Sequence, residues 1–418
     1  VDPRGGARVP DPTAAGRPGS FISRCACSSD RQHDCRGGTG MMRRLWPFVL
    51  GSVALGLDAY VVAGLLPAIA AALGTPEATI GLGVAAFTGS YAVVGPLLAG
   101  RAGRRSRHSL IIALLVFTVA NLATAFSPTV WVFLGSRVVA GAAAGVYSPL
   151  SSAVAAELVG QEHRGRALAL VLAGLAVGTV FGVPTGLLLA QHWGWRAAIL
   201  LIVVIGGVAL AGIALRGGDL PAIPASGPAD RLRSITRPKN LLTVTVTLLT
   251  GVASLGLYTY LTVVLSGGAL ASHQNVAIWV WGLGGAAGAL GVGRLADKYD
   301  PLRLSAVILA GLTCALLGMT QGQVPVLVVV SLFVWGLCGW ASLAPQQQVL
   351  LQANPTDGAT AVAANASANY LGSALGALAG SLLVAADATP TVLCGSVAVV
   401  TAFALFCQLV RQRMDFNP

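Results

Sequence analysis

RRLWPFVLGSVALGLDAYVVAGLLPAIAAAL, residues 43–73, decides how the rest of the chain is read. Two arginines open it, apolar residues follow almost without interruption, and Asp58 is the only formal charge inside the run. A helix crossing about 30 Å of hydrocarbon needs roughly 20 predominantly apolar residues, and this stretch supplies more. It reads as a membrane span entered from a basic side, with one acid near its middle.

The pattern repeats to the end of the chain. Apolar runs broken by short polar loops fall at 45–73, 79–99, 109–126, 130–156, 167–190, 197–215, 241–265, 275–295, 304–320, 325–351, 359–385 and 392–410. The expected fold is an all-α integral membrane protein with twelve transmembrane helices. Composition agrees, because only 10% of residues are charged where soluble domains carry about 25%. The formal charge of +11 is scattered through short loops with no aromatic-studded basic face, so nucleic acid is not expected as a partner and the lipid bilayer is. Cys25, Cys27 and Cys35 with His33 match no standard zinc spacing, and the other cysteines stand singly in apolar runs, so neither a metal site nor a disulfide framework is expected.

Charge fixes the expected topology. From Arg43 onward, the termini and the loops on their side hold 18 Lys or Arg, and the opposite loops hold one, Arg196. By the positive-inside rule both termini are expected in the cytoplasm, which requires an even number of spans. Trp46, Trp131, Trp193 and Trp195 stand at span ends, where an indole can lie between lipid and headgroup.

Residues 1–40 are rich in Gly, Pro, Ser and Arg and are expected to be a disordered tail. Met41 or Met42 reads as the natural start, which would place that tail upstream of it. The N-terminal six helices then occupy 41–215, a proline-bearing basic linker 216–240, the C-terminal six 241–412, and a short cytoplasmic tail 413–418. Leu98-Ala99-Gly100-Arg101 after the second span is echoed by Leu295-Ala296-Asp297-Lys298 after the eighth, as two pseudo-symmetric halves would require.

Gly95-Pro96-Leu97-Leu98-Ala99-Gly100-Arg101-Ala102-Gly103-Arg104-Arg105 resembles the signature loop between the second and third helices of the major facilitator superfamily. Gly293-Arg294-Leu295-Ala296-Asp297-Lys298 is its second-half copy and keeps an acid where the first half has Gly100. Leu57-Asp58-Ala59-Tyr60 through Pro67, and Gly178-Thr179-Val180-Phe181-Gly182-Val183-Pro184-Thr185-Gly186, look like motifs of the twelve-helix drug:proton antiporter branch. Within that branch the chain is similar to chloramphenicol and sugar efflux proteins. The resemblance implies a multi-pass protein of a bacterial inner (plasma) membrane, alternating access, no cofactor beyond the proton motive force, and a monomer. It also implies that the Gly100 and Asp297 loops act as gating latches through Gly95, Arg101, Gly103, Arg104, Arg105, Arg294 and Lys298.

Away from the span ends only Asp58 and Arg137 carry formal charge within the spans. An intramembrane acid is costly and marks a functional site by default, so Asp58 is the expected proton carrier. The alternative is a buried acid that caps a helix or pairs with Arg137. Arg137 lies toward the opposite end of its own span, which leaves direct pairing open, and the resemblance gives it a part in proton transfer or in steadying the acid.

Gly174, Gly178, Gly182 and Gly186 recur every four residues beside Pro184, a stripe that lets another helix approach closely. By resemblance it is the antiporter signature and is expected at a contact between halves. Gly372, Gly376 and Gly380 form a second stripe. Tyr60, Tyr91, Asn121, Tyr258, Gln346, Gln347, Asn365, Asn369 and Tyr370 are the neutral polar candidates for a substrate cavity; the alternative for the amides is interhelical hydrogen bonding.

A cavity with one acid and an apolar wall suits a small neutral or cationic drug-like molecule, so the expected function is proton-coupled efflux that confers resistance. Export or symport of a sugar or metabolite is the second reading. The sequence carries no Walker A loop, no Gly-x-Ser-x-Gly and no His-Glu-x-x-His, so neither ATP-driven transport nor a membrane enzyme is expected. A transport-dead sensor would need an appended soluble domain.

Overall fold

In a computed structural model of the chain, residues 30–159, 164–216, 220–223, 236–354 and 358–416 are described, with side chains throughout except at 30–40, 42, 96, 99–101, 164, 165, 169, 294, 297, 358–360 and 416. Helix is the only regular structure among them. Twelve helices are long and apolar enough to cross a membrane: α1 Arg43–Leu73, α2 Glu77–Gly95, α3 Ser106–Ala125, α4 Val130–Glu157, α5 Arg166–Trp193, α6 Trp195–Ala214, α7 Pro238–Thr259, α8 Ala271–Gly293, α9 Pro301–Met319, α10 Pro325–Ala353, α11 Ala361–Ala385 and α12 Pro390–Asp415. Each lies within a few residues of an expected run.

Several helices outrun their apolar cores. That of α1 begins at Asp30, so residues 30–40 are helical where a disordered tail is expected from composition. Adding a residue to an existing helix costs far less than nucleating one, and weak local propensity does not stop it. Residues 1–29 lie outside the described residues. The helix of α12 runs to Phe416 through most of the expected C-terminal tail. The linker is described only at its ends and at 220–223.

The segment up to Met42 forms one unit and residues from Arg43 onward another; the second holds all twelve spans. Its helix pairs recur at a shift of six: α2 with α4 as α8 with α10, α3 with α4 as α9 with α10, and α3 with α6 as α9 with α12. The halves meet through α2 against α11 and through α5 against α8, again related by that shift. The body is therefore two six-helix halves of like architecture.

Its surface is inverted relative to a soluble protein. Leu290, Val326 and Val399 are exposed, whereas Asp58, Asn121, Thr124, Gln408 and Asn365 are buried. Lipid is as apolar as leucine, so the outer wall loses nothing by exposure there, and helix association rests on close packing and interhelical hydrogen bonds. Trp131 and Trp193 stand out from the body as expected of interfacial indoles, but Trp195 is buried. It opens α6 immediately after Gly194, whose φ of 83° turns the chain sharply back; the turn folds the indole inward, where the Arg196 guanidinium lies over its ring.

Candidate functional site

Asp58 sits at mid-depth on α1 with no exposed surface. From α4, Arg137 Nη1 donates to Asp58 Oδ1 at 2.6 Å and Nη2 to the Asp58 carbonyl at 3.4 Å. The sequence leaves this pairing open; the structure makes it. Asn121 on α3 donates from Nδ2 to Asp58 Oδ2 at 3.1 Å and to the Phe117 carbonyl, and its Oδ1 accepts from Arg137 Nη1 at 3.4 Å. The guanidinium carbon lies 4.5 Å from the centre of the Phe87 ring, where the ring's quadrupole favours a cation. Both carboxylate oxygens thus have donors, and the two charges cancel in a water-excluded site.

Asn121, a cavity candidate by sequence, belongs to this cluster behind the interface. Next to it a strip of buried hydroxyls follows α3 and α4 away from the end where α1 begins. Thr124 and Ser136 are 2.8 Å apart, and Ser127 donates to the Thr124 carbonyl.

Tyr60 stands two residues beyond Asp58. At 100° per residue that separates their directions by about 200°, so the two side chains leave α1 on opposite faces. Tyr60 contacts the other half: its ring lies 5.5 Å from Tyr258 on α7, 6.1 Å from Trp281 on α8 and 5.7 Å from Trp340 on α10. Tyr258 stacks on Trp281 at 4.1 Å, and Tyr91 on α2 stacks on Tyr370 of α11 at 3.8 Å. Four of the sequence candidates, Tyr60, Tyr91, Tyr258 and Tyr370, therefore meet where the halves touch. The space between Tyr60, Tyr258, Tyr370, Thr88 and Ser373 is about 10 Å³, room for about one water. The rings fill the contact between the halves here.

Trp281 and Trp340 are not among the candidates drawn from sequence. Their signal was available: both lie well inside apolar spans, where interfacial anchoring cannot explain an indole. The Tyr258 hydroxyl and Trp281 Nε1 are buried without a partner, adjacent polar atoms able to accept or donate once the rings separate.

Away from the aromatic contact, the described links between halves lie toward the end opposite the start of α1. Ser381 Oγ on α11 donates to the Ala78 carbonyl on α2 at 2.8 Å. Tyr260 donates to the Ala377 carbonyl and fills the space over Gly81 and Gly380.

The glycine stripe of α5 does not lie between halves as expected. A Cβ at Gly174 or Gly178 would meet the carbonyls of Val49 and Val53, and one at Gly182 or Gly186 would meet Leu57 and Val61, all on α1. Gly372 and Gly376 on α11 meet Leu248 and Val252 of α7 in the same manner. Each stripe fastens two helices within one half, because only hydrogen fits where one backbone lies on another. The α5 stripe packs against the turns of α1 on either side of Asp58. Residues 178–182 form a π turn, Pro184 follows it buried, and Thr179 donates to the Gly56 carbonyl. A second π turn, 251–255, lies in α7 opposite Asn369. Such turns widen a helix and recur at functional sites.

Gln346 donates to Gln408 within the C-terminal half. Asn365 is fully buried with neither amide atom bonded, and Asn369 and Gln347 are half-buried. Of the gating residues, Gly95 packs against Gly145, Arg104 and Arg105 are exposed, and Lys298 lies over the Tyr299 ring. Gly103 is covered by the linker, whose Ile223 N–H donates to the Gly103 carbonyl. The side chains of Gly100, Arg101, Arg294 and Asp297 lie outside the described residues, and with them the proposed latch.

Comparison with known proteins bears on the whole body. The family described as Major Facilitator Superfamily matches residues 48–409. A chloramphenicol resistance protein of Streptomyces lividans is 33% identical over 261 residues, 61% of this chain and 67% of that protein. The inner membrane transport protein YdhP of Escherichia coli K12 is 27% identical over 82% of this chain and 89% of its own. The uncharacterized transporter YtbD of Bacillus subtilis is 29% identical, and the match spans 56% of it. Among solved structures, the xylose transporter XylE from E. coli, in a partially occluded inward open conformation, superposes with a TM-score of 0.70 at 17% identity over 90% of this chain and 98% of that one. The nucleoside transporter NupG gives 0.69 at 12% identity over 89% and 98%.

Proposed function

The chain belongs to the Major Facilitator Superfamily and is a multi-pass transporter of small molecules, and from that premise we propose that it exports a drug-like compound in exchange for protons. The observation that carries the reading is the placement of Asp58 and Tyr60 on opposite faces of one helix. The acid is enclosed with Arg137 and Asn121 in the N-terminal half, and the ring is packed on the C-terminal half.

A proton added to Asp58 removes the charge that holds Arg137 and leaves a buried cation without its partner, which costs several kcal/mol unless the site rearranges. Rearrangement of α1 moves Tyr60, and Tyr60 belongs to the contact that the halves must release. Proton binding and opening are then two readings of one helix position. The buried hydroxyls of Thr124, Ser136 and Ser127 offer a polar route from the pair toward the far end of the bundle. One proton moving inward is worth about 2.3 kcal/mol per 100 mV, enough for a roughly fifty-fold gradient of a neutral solute.

We place both termini in the cytoplasm on the strength of the 18 to 1 bias in basic residues. The face tied by the Ser381–Ala78 bond is then the outer one. Similarity to a chloramphenicol resistance protein supports a drug-like substrate. Because Asp58 is already neutralised by Arg137, a neutral compound suits the site better than a cation that would compete for the acid. Sugar or nucleoside transport is the second reading, favoured by the xylose and nucleoside transporters that share the fold.

The test is growth of an efflux-deficient bacterial host carrying the parent or Asp58→Asn, against a panel of antibiotics that includes chloramphenicol. Protection by the parent alone is the expected result. Protection by neither, with both present in the membrane, would overturn drug export and turn attention to sugars and nucleosides.

A further inference from the structure

An apolar groove of about 450 Å³ lies on the outer wall of the N-terminal half, away from the contact between halves. The helix of α2 continues to Arg104; its Val94, Leu98 and Ala102 form one side, Ile112 and Val116 of α3 the other, and Val139, Ala142 and Val146 of α4, which packs on both helices, the floor. Ile112, Leu98, Val138 and Val139 are exposed, so in a membrane-spanning protein lipid covers them. Ser109, at one end, is the only polar residue among those lining the groove. A small-molecule site carries several convergent polar groups; this wall has none along its length and can distinguish only shape.

Its ends differ. From Ser109 to Val116 the groove runs about 10 Å along α3 at 1.5 Å per residue, against about 15 Å for half of a hydrocarbon core. It therefore spans much of one leaflet. At the Ser109 end the chain passes from α2 to α3 through Arg104 and Arg105, and those two side chains and His108 are exposed. Arg104 stands two residues after Ala102, Arg105 four before Ser109 and His108 one before it, about a turn from the groove's mouth. Guanidinium groups bind phosphate through charge-assisted, often bidentate hydrogen bonds.

We propose that this groove holds an acyl chain of an anionic phospholipid whose headgroup phosphate lies on Arg104 and Arg105. Groove and arginines select different parts of the same molecule: a featureless chain of one leaflet's length, and a negative charge at the depth where that leaflet ends. The linker is fastened beside the site, since Ser106 donates to the Pro221 carbonyl at 2.7 Å and Ile223 N–H to the Gly103 carbonyl. The bound headgroup thus lies next to the strap that joins the two halves.

Native mass spectrometry of the full chain, titrated with phosphatidylglycerol or phosphatidylcholine in mixed micelles, tests this. The parent is expected to retain phosphatidylglycerol in preference. An Arg104→Gln/Arg105→Gln variant should lose about fivefold in affinity for each arginine removed and with it the preference. Ala142→Trp, which fills the groove, should weaken both lipids. Equal retention of the two lipids by the parent, or an unchanged preference in the double arginine variant, would overturn the proposal. The arginine variant alters only surface residues and keeps the test decisive even if Ala142→Trp does not fold.

Discussion

Asp58 and Tyr60 are two residues apart on α1, yet Asp58 is bonded only to the N-terminal half, through Arg137 at 2.6 Å and Asn121 at 3.1 Å, while Tyr60 packs on Tyr258, Trp281 and Trp340 of the other half. In the proposed mechanism a change of charge on one face of the helix reaches the contact between halves without an intervening element. The predictions below follow from that arrangement and from the packing that maintains it.

Removing one member of a buried ion pair strands the other and typically costs about 3–5 kcal/mol, whereas replacing both with neutral groups is far better tolerated. Asp58→Asn and Arg137→Gln are each expected to lower the apparent thermal midpoint in detergent. The double variant should melt above either single one. A double variant less stable than both would mean that the two residues do not act as a pair.

Gly178 is expected to tolerate no side chain, because its Cβ would run into the Val53 carbonyl oxygen and neither backbone can yield without separating α5 from α1. Gly178→Val should give little folded protein. Gly135→Ala is the control: nothing lies within 4 Å of its Cβ, and alanine in a helix is more stable than glycine by about 0.5–1 kcal/mol. Comparable yields from the two variants, measured by size-exclusion profile, would contradict the packing.

The bond from Ser381 to the Ala78 carbonyl ties the two halves at one end. In a background with the native cysteines replaced, Ala78→Cys with Ser381→Cys should be joined by a short bifunctional thiol reagent, and export should stop until the link is cleaved. Undiminished export by the linked protein would show that this end does not open during transport.

Much of this was legible in the sequence because the bilayer imposes simple rules. Span length and apolar runs are local properties, and the twelve helices fall where the runs do. Asp58 and Arg137 stand out for the same reason, as the two formal charges away from the span ends. What the sequence could not give was direction. It did not say that Arg137 would pair with Asp58, nor that Asn121 would join them instead of lining a cavity. The glycine stripe told of a close neighbour and not of which one; the neighbour is α1, in the same half. Trp281 and Trp340 were passed over because tryptophan in a membrane protein is ordinarily read as an interfacial anchor, and their inward position is set by helix rotation, which apolar composition does not encode. Trp195 failed in the opposite sense, since the turn at Gly194 places a span-end indole inside.

The account depends most on Asp58 as the proton carrier. The most direct measurement is accumulation of the compound against which the parent protects cells, in inside-out membrane vesicles under an imposed pH gradient, parent against Asp58→Asn. The parent should accumulate it only when the vesicle interior is acidic, and the variant should show no response to the gradient while still being present in the membrane. Gradient-driven accumulation by Asp58→Asn equal to that of the parent would contradict the account.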